Sequence, residues 1–337
     1  MRMGVIDVGS NTVHLLAVDA YWGAHPIPAC SYKIDLRLSE HTLDDGRISG
    51  EGADKLVAFI KDCLVHSDEF GIETLMGFAT SAIREAPNGE EVLAAVHKKT
   101  GVELSVLPGR DESRLTFLAA RRWFGWSAGR LFLVDIGGGS LELASGIDED
   151  PDVALSLPLG AGRLTREALA GDPPKPDVVK AVRKQIRTDI ARVMRDITKV
   201  GTPDLYVGTS KTIRSLARLG GAAPSGEGPY VRRTLAREDL KALVPKLASL
   251  SAAQRAELPG VSVNRSHQVL AGAMVIEAVM DLVGIEALVV CPWALREGVI
   301  LQRLDLMPDA QIQPISGEGL PRPAPATNGT ARAGRSN

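Results

Sequence analysis

The sequence predicts an α/β protein built as two lobes facing a cleft, and three observations carry that prediction. Strand-like and helix-like segments alternate along the chain. Its 337 residues leave room for two domains of ordinary size, and a hydrophobic content of 45% supplies a core for each. One local grammar also occurs twice. Val5-Ile6-Asp7-Val8-Gly9-Ser10-Asn11-Thr12 runs from an apolar strand into Asp, one apolar residue, Gly and a small hydroxyl residue. Leu131 to Glu142, L-F-L-V-D-I-G-G-G-S-L-E, does so again with Gly137, Gly138 and Gly139 in succession.

In chain order, residues 5–18 form the first hairpin and residues 32–38 a third strand, by alternation. The turn Asp44-Asp45-Gly46 precedes a helix that starts at Ser49. Leu56, Phe59, Ile60, Cys63 and Leu64 fall at helical spacing along it, and Gly71 stops it. Residues 75–79 are a strand leading into Thr80-Ser81-Ala82-Ile83-Arg84. Asn88 is placed as the cap of a helix ending at Gly101. A strand at 102–107 and a helix from Pro108 to about Phe124 complete a first lobe of residues 1–125.

The second lobe, residues 126–307, opens on the Leu131 strand after a short joint at 125–129. Residues 153–157 extend its sheet, residues 160–166 lead into a helix, and residues 171–176 are a surface turn. The long helix that follows carries Val179, Val182, Ile186, Ile190, Val193 and Ile197 on one face. Arg183, Lys184, Arg187, Arg192, Arg195 and Lys199 form a basic stripe opposite. The plain reading is a solvated face; the sharper one is a landing track for a phosphate chain. Residues 204–208 form a strand ending in Gly208-Thr209-Ser210-Lys211-Thr212. P-loop spacing is absent, yet a strand followed by a helix N-terminus still offers N–H groups to an anion. Residues 220–229 are a loop, two helices flank Pro259-Gly260, and residues 287–290 are the last strand. The last helix, from Leu295, is expected to pack back across the lobe interface. The Pro-rich tail, 308–337, is expected to be disordered.

Composition narrows the function. Lys plus Arg number 39 and Asp plus Glu 41, a net charge of −2, so no global basic field marks a nucleic-acid partner. A polyanion has to be held by local clusters. Cys30, Cys63 and Cys291 make no CxxC pair, which fits a reducing cytoplasm. Asp7 interrupts the N-terminal apolar run, so no signal peptide is expected. Glu277 and Asp281 interrupt the longest apolar stretch, so no membrane span is expected. The glycine turns let backbone N–H groups approach a ligand closely. Asp135 and Glu142 bracket one turn, and carboxylates so placed suit Mg²⁺, with Mn²⁺ as its substitute.

The paired hairpins resemble those of the actin-like (ribonuclease H-like) superfamily, with its sugar kinases and Hsp70-type ATPases. Further motifs sharpen the resemblance: I-D-V-G-S-N at 6–11, A-T-S-A-I-R at 79–84, D-E-S-R-L at 111–115, D-I-G-G-G-S-L-E at 135–142 and L-R-E-G at 295–298. Together they resemble the exopolyphosphatase and guanosine pentaphosphate phosphohydrolase (Ppx/GppA) family in its short, two-domain form. That resemblance implies two actin-like lobes and Mg²⁺-assisted release of terminal phosphate. It implies Glu112 as the catalytic glutamate that orients or deprotonates water. Asp135 and Glu142 are then metal residues. Asp7, Gly9, Ser10, Asn11, Ser81, Arg84, Gly137, Gly138, Gly139 and Ser140 are phosphate-binding residues, with Gly208, Thr209, Ser210 and Lys211 as further candidates. Inorganic polyphosphate is the expected substrate, with guanosine penta- or tetraphosphate as substrate or inhibitor and a place in the stringent response. A homodimer is one candidate for self-association, and no patch in the sequence singles it out. An actin-like ATPase or kinase and a non-catalytic alarmone sensor are the alternatives. Arg265-Ser266-His267 departs from the family's Arg-Ala-Asp, and no role is assigned to it.

Overall fold

β1 (Arg2–Val8) and β2 (Val13–Asp19) pair antiparallel, with Asp7 opposite His14. The computed structural model describes residues 1–21 and 23–307, so the tail expected at 308–337 lies outside the described residues. After the hairpin come β3 (Pro28–Ile34), α1 (Gly50–Glu69), β4 (Thr74–Ala79), α2 (Ser81–Arg84), α3 (Gly89–Thr100), β5 (Leu104–Val106) and α4 (Gly109–Phe124). The second half runs β6 (Leu131–Ile136), β7 (Leu141–Gly146), β8 (Val153–Leu157), α5 (Ala161–Glu167), α6 (Pro176–Thr198), β9 (Leu205–Gly208) and α7 (Ser210–Leu219). It closes with β10 (Thr234–Ala236), α8 (Arg237–Ser249), α9 (Ala252–Ala256), α10 (Val269–Val283), β11 (Ala287–Val290) and α11 (Leu295–Asp305).

The two sheets are built alike. One has strand order β3-β2-β1-β4-β5 and the other β10-β11-β9-β6-β7-β8. In each, a central hairpin strand pairs antiparallel with its successor and parallel with the strand of the following unit. The duplicated grammar is therefore duplicated architecture. Each lobe has its own apolar core. Ile6, Leu15, Leu56 and Ile60 lie in the first, and Leu143, Ile186, Ile213 and Met274 in the second.

The lobes exchange helices. Phe117 and Ala120 of α4 pack with Leu131, Leu133, Ala144 and Val207 of the second sheet, and Ser113 Oγ donates to the Leu143 carbonyl at 3.0 Å. In packing terms α4 belongs to the second lobe, which corrects a boundary at residue 125. Conversely, Ile300 and Leu304 of α11 pack with Met3, Val5, Leu16 and Val18 of the first sheet. The crossing is tight: a Cβ on Gly298 would stand 1.9 Å from the Leu115 carbonyl oxygen. This close approach accounts for the glycine of L-R-E-G. Further along α4, Arg121 is fully buried, and its guanidinium donates to the carbonyls of Gly125, Gly129 and Gly146 at 3.0, 2.6 and 3.2 Å. It ties α4 to the segment leading into β6 and to the end of β7.

Three local readings are corrected. The third strand is Pro28–Ile34 rather than 32–38, because its partners are set by register with β2. Asn88 sits at the helix start, but its side chain is drawn away to bracket Ile48, accepting from its N–H and donating to its carbonyl at 2.8 and 2.9 Å. On α6, Arg183 and Arg187 pair with Glu277 and Asp281 of α10 at 2.6 and 2.5 Å, and Arg192 and Lys199 pair within the helix. Four of the six cations of the basic stripe are thus paired with carboxylates, in keeping with a solvated face rather than a landing track. Among the described residues no helix is long and apolar enough to cross a membrane, and the three cysteines are free thiols.

Candidate active site

The two hairpin turns close in the same way. Gly9 N–H donates to the Thr12 carbonyl at 3.0 Å, and Gly137 N–H donates to the Ser140 carbonyl at 2.9 Å. Asp7 and Asp135 precede the turns, and His14 and Glu142 sit opposite them in the ladders. None of Gly9, Gly137, Gly138 and Gly139 has a positive φ. Gly138 and Gly139 are required by close approach instead. A Cβ on Gly138 would meet Ser10 Cβ at 2.9 Å, and one on Gly139 would meet Ser81 Oγ at 2.3 Å. The lobes touch here, and Asn11 Nδ2 also donates to Gln268 Oε1 across the gap at 3.3 Å.

Between the turns lies a cavity of about 180 Å³. Asp7, Glu112, Asp135 and Glu142 all line it, with Ser10, Ser81, Gly138, Ser140 and Lys211. Asp7 and Asp135 thus meet across one cleft with Glu112 between them. Glu112 owes its position to α4, whose first turn is laid against the second sheet. The carboxylates disturb one another. Burial pushes Glu112 up to about 7, with Arg84 opposing and the charges of Asp7 and Asp135 reinforcing the rise. Burial raises Asp7 to about 6 against the pull of Arg296, whose Nε is 3.8 Å away. Asp135 lies above the usual carboxylate range because burial outweighs its hydrogen bond from Thr209 Oγ1. Glu142 is raised further, by burial and by its neighbours Glu112 and Asp135, although Ser156 Oγ donates to it at 3.0 Å.

Not every expected residue reaches this cavity. Arg84 stands behind it: its Nη1 pairs with Glu112 Oε1 and donates to the Leu107 carbonyl at 2.8 Å. The expected grip on phosphate oxygen gives way to a grip on Glu112. Gly139 faces a separate cavity behind the turn. Gly208 lies under Ile213, where a Cβ would come within 2.8 Å, and Thr209 is spent on Asp135. Ser210 and Lys211 do line the cavity, and Ser210 adopts φ +75°, a strained conformation for a side-chain-bearing residue.

The cavity opens into a cleft of about 610 Å³. Lys33, Lys211, Arg214, Arg218, Arg265 and Arg296 line it, against only Asp7 and Asp135 as carboxylates. Arg265, given no role from sequence, lines both spaces. Arg214 was legible too. Thr209-Ser210 after β9 repeats Thr80-Ser81 after β4, and, with one residue more between, Ile213-Arg214 closes the second copy as Ile83-Arg84 closes the first.

Paired glycine turns, inward carboxylates and a cationic approach between exchanged lobes define a two-lobed protein built to handle phosphoryl groups. The chain belongs to the Ppx/GppA phosphatase family, whose model matches residues 23–307. It is 56% identical over 305 residues to Exopolyphosphatase 1 of Mycobacterium tuberculosis, covering 90% of this chain and 89% of that one. It is 55% identical to Exopolyphosphatase 1 of Mycobacterium leprae, covering 90% of each. A crystal structure of an exopolyphosphatase from Cytophaga hutchinsonii superposes with a TM-score of 0.81 at 25% identity, over 90% of this chain and 98% of that one. These structural neighbours share the actin-like two-lobed fold.

Proposed function

We propose that this chain is an exopolyphosphatase that removes terminal orthophosphate from short inorganic polyphosphate. The single observation that carries this reading is the union of the carboxylate cavity with the cationic cleft. Among the described residues the cleft lining contains no Phe, Tyr or Trp and only the imidazole of His14 as an aromatic ring, so it offers a polyanion many charges and a nucleobase little aromatic surface. That favours polyphosphate over guanosine pentaphosphate and over an ATPase or alarmone-sensing role.

Hydrolysis of a phosphoanhydride is mainly positioning and charge stabilisation. The Gly138 N–H has no protein acceptor among the described residues, which leaves it as a donor beside the reaction cavity. Lys211 and Arg265 receive the non-bridging oxygens. Glu112 orients the water and accepts its proton, and Arg84 holds that carboxylate in place. Among the described residues no three His, Cys, Asp or Glu side chains converge into a complete metal cage. One or two carboxylates with water and substrate oxygens suit Mg²⁺, so Asp135 and Glu142 are the residues that would hold it. Once bound, Mg²⁺ offsets charge on the phosphate oxygens.

The test is orthophosphate release from polyphosphates of defined length, guanosine pentaphosphate and ATP, with and without Mg²⁺. Mg²⁺-dependent release from polyphosphate is expected; release from the nucleotides alone, or binding without turnover, overturns the reading. The Arg84–Glu112 pair gives a second expectation. In Arg84→Gln the acid limb of kcat/KM is expected to move to higher pH, because the cation that favours ionised Glu112 is gone. An unmoved limb with a higher KM would return Arg84 to substrate binding.

A further inference from the structure

Behind the glycine turn lies a smaller cavity of about 110 Å³. It shares Ser10, Ser81 and Gly138 with the reaction cavity and no residue with the cationic cleft. Cleft, reaction cavity and rear cavity therefore lie in series. The partition between the last two is thin: Ser10 Oγ and Ser81 Oγ are 3.2 Å apart, and Gly139 stands beside them.

The rear cavity has a closure that joins the lobes. Arg163 of α5 pairs through Nη2 with Glu85, just beyond α2, and its Nε is buried without a hydrogen-bond partner. That Nε lies 3.6 Å from Glu167, too far for a hydrogen bond. Arg163 thus combines a displaceable partner with an unspent donor.

Cleavage by water yields orthophosphate in the reaction cavity, a proton on Glu112 and a shortened chain still held by the cationic cleft. A retained polyanion blocks the front and repels the product. We propose that orthophosphate leaves through the rear cavity, with Arg163 receiving it and the Glu85–Arg163 pair as the barrier it displaces. This rests on the polyphosphatase reading, and it adds a product site on the face opposite the substrate.

The experiment compares phosphate formed, by acid quench, with phosphate free in solution, by a fluorescent phosphate sensor, on one preparation with short polyphosphate. Wild type is expected to show the two in step. Thr42→Trp, which fills the rear cavity from its lining, is expected to cleave the first phosphate at the wild-type rate. It then releases that phosphate at least tenfold more slowly, so a burst of about one phosphate per site accumulates. Release in step with cleavage in Thr42→Trp overturns the proposal. Should that variant fold poorly, product inhibition gives an independent reading. Added orthophosphate is expected to inhibit wild type in a mixed manner against polyphosphate. Arg163→Gln is expected to weaken that inhibition about tenfold, and Arg163→Lys to restore it in part. Purely competitive inhibition, unchanged in Arg163→Gln, overturns the proposal. If wild type forms no phosphate in the quench, the polyphosphatase reading fails and the exit route falls with it.

Discussion

Glu112→Gln is expected to lower kcat about 10²–10⁴-fold while leaving the fold intact, the range a positioned general base supplies. The carboxylate is buried, lines the cavity with Asp7 and Asp135, and is held by Arg84. Gln keeps its shape and loses its basicity together with the charge that pairs with Arg84. A stopped assay on short polyphosphate checks the rate, and circular dichroism checks the fold. Retained turnover would remove Glu112 from the chemistry. The same substitution has a thermodynamic signature. The folded-state value of Glu112 is about 7, above the 4.5 of an unperturbed Glu. A carboxyl raised on folding contributes its stability fully below the unfolded value and loses it as pH rises through the folded one. Gln does not titrate. Without divalent cation, Tm of Glu112→Gln is therefore expected to match wild type below about pH 4.5, to exceed it increasingly up to about pH 7, and to keep a constant margin above that. A constant Tm difference across that window would mean that Glu112 carries no buried charge penalty.

Gly160→Ala is expected to reduce kcat/KM by about 100-fold or more. The reason is backbone geometry. A Cβ at Gly160 would lie 2.2 Å from Gly139 C, 2.4 Å from Ser140 N and 2.5 Å from Gly138 C. No flexible side chain is available to move aside. The α5 end is also bonded to this turn, since Gly160, Ala161 and Arg163 N–H donate to the Gly139, Gly137 and Gly138 carbonyls at 3.2, 3.0 and 2.9 Å. The turn must shift by a large fraction of an ångström, and misplacement of about 1 Å costs about 10² in rate. Tm is expected to fall less dramatically than activity, because the substitution removes no apolar side chain from either core. Near-wild-type kcat/KM would show that the turn tolerates displacement and does not cradle the reacting phosphate.

Much of the site was legible because its chemistry is local in sequence. The Asp–x–Gly turns have to be contiguous, since a hairpin is made by neighbours. The pairing of Asp135 with Glu142 follows from the antiparallel ladder that such a turn enforces. Gly160 carried no such signal. It stands alone in sequence and is demanded only by a turn more than twenty residues earlier. Arg265 was hidden for a similar reason, its value lying in a position reached after five further helices. Arg214 was available through the repeated Thr-Ser, but the repeat becomes convincing only when β4 and β9 are seen to occupy the same place in their sheets.

The sequence by itself determined the strand–turn–strand grips, the order of the elements and the inventory of carboxylates and cations. Those depend on periodicity, turn chemistry and side-chain type, all of them short-range. The tertiary structure alone decided how the charges were spent. It gave Arg84 to Glu112 and the α6 cations to α10, and left Lys211, Arg214 and Arg265 facing the cleft. It also carried α4 and α11 across the lobes, which is what places Glu112 between Asp7 and Asp135. Ion pairing and burial act between residues far apart in the chain, so the distribution of charge between structure and ligand exists only once the lobes have closed.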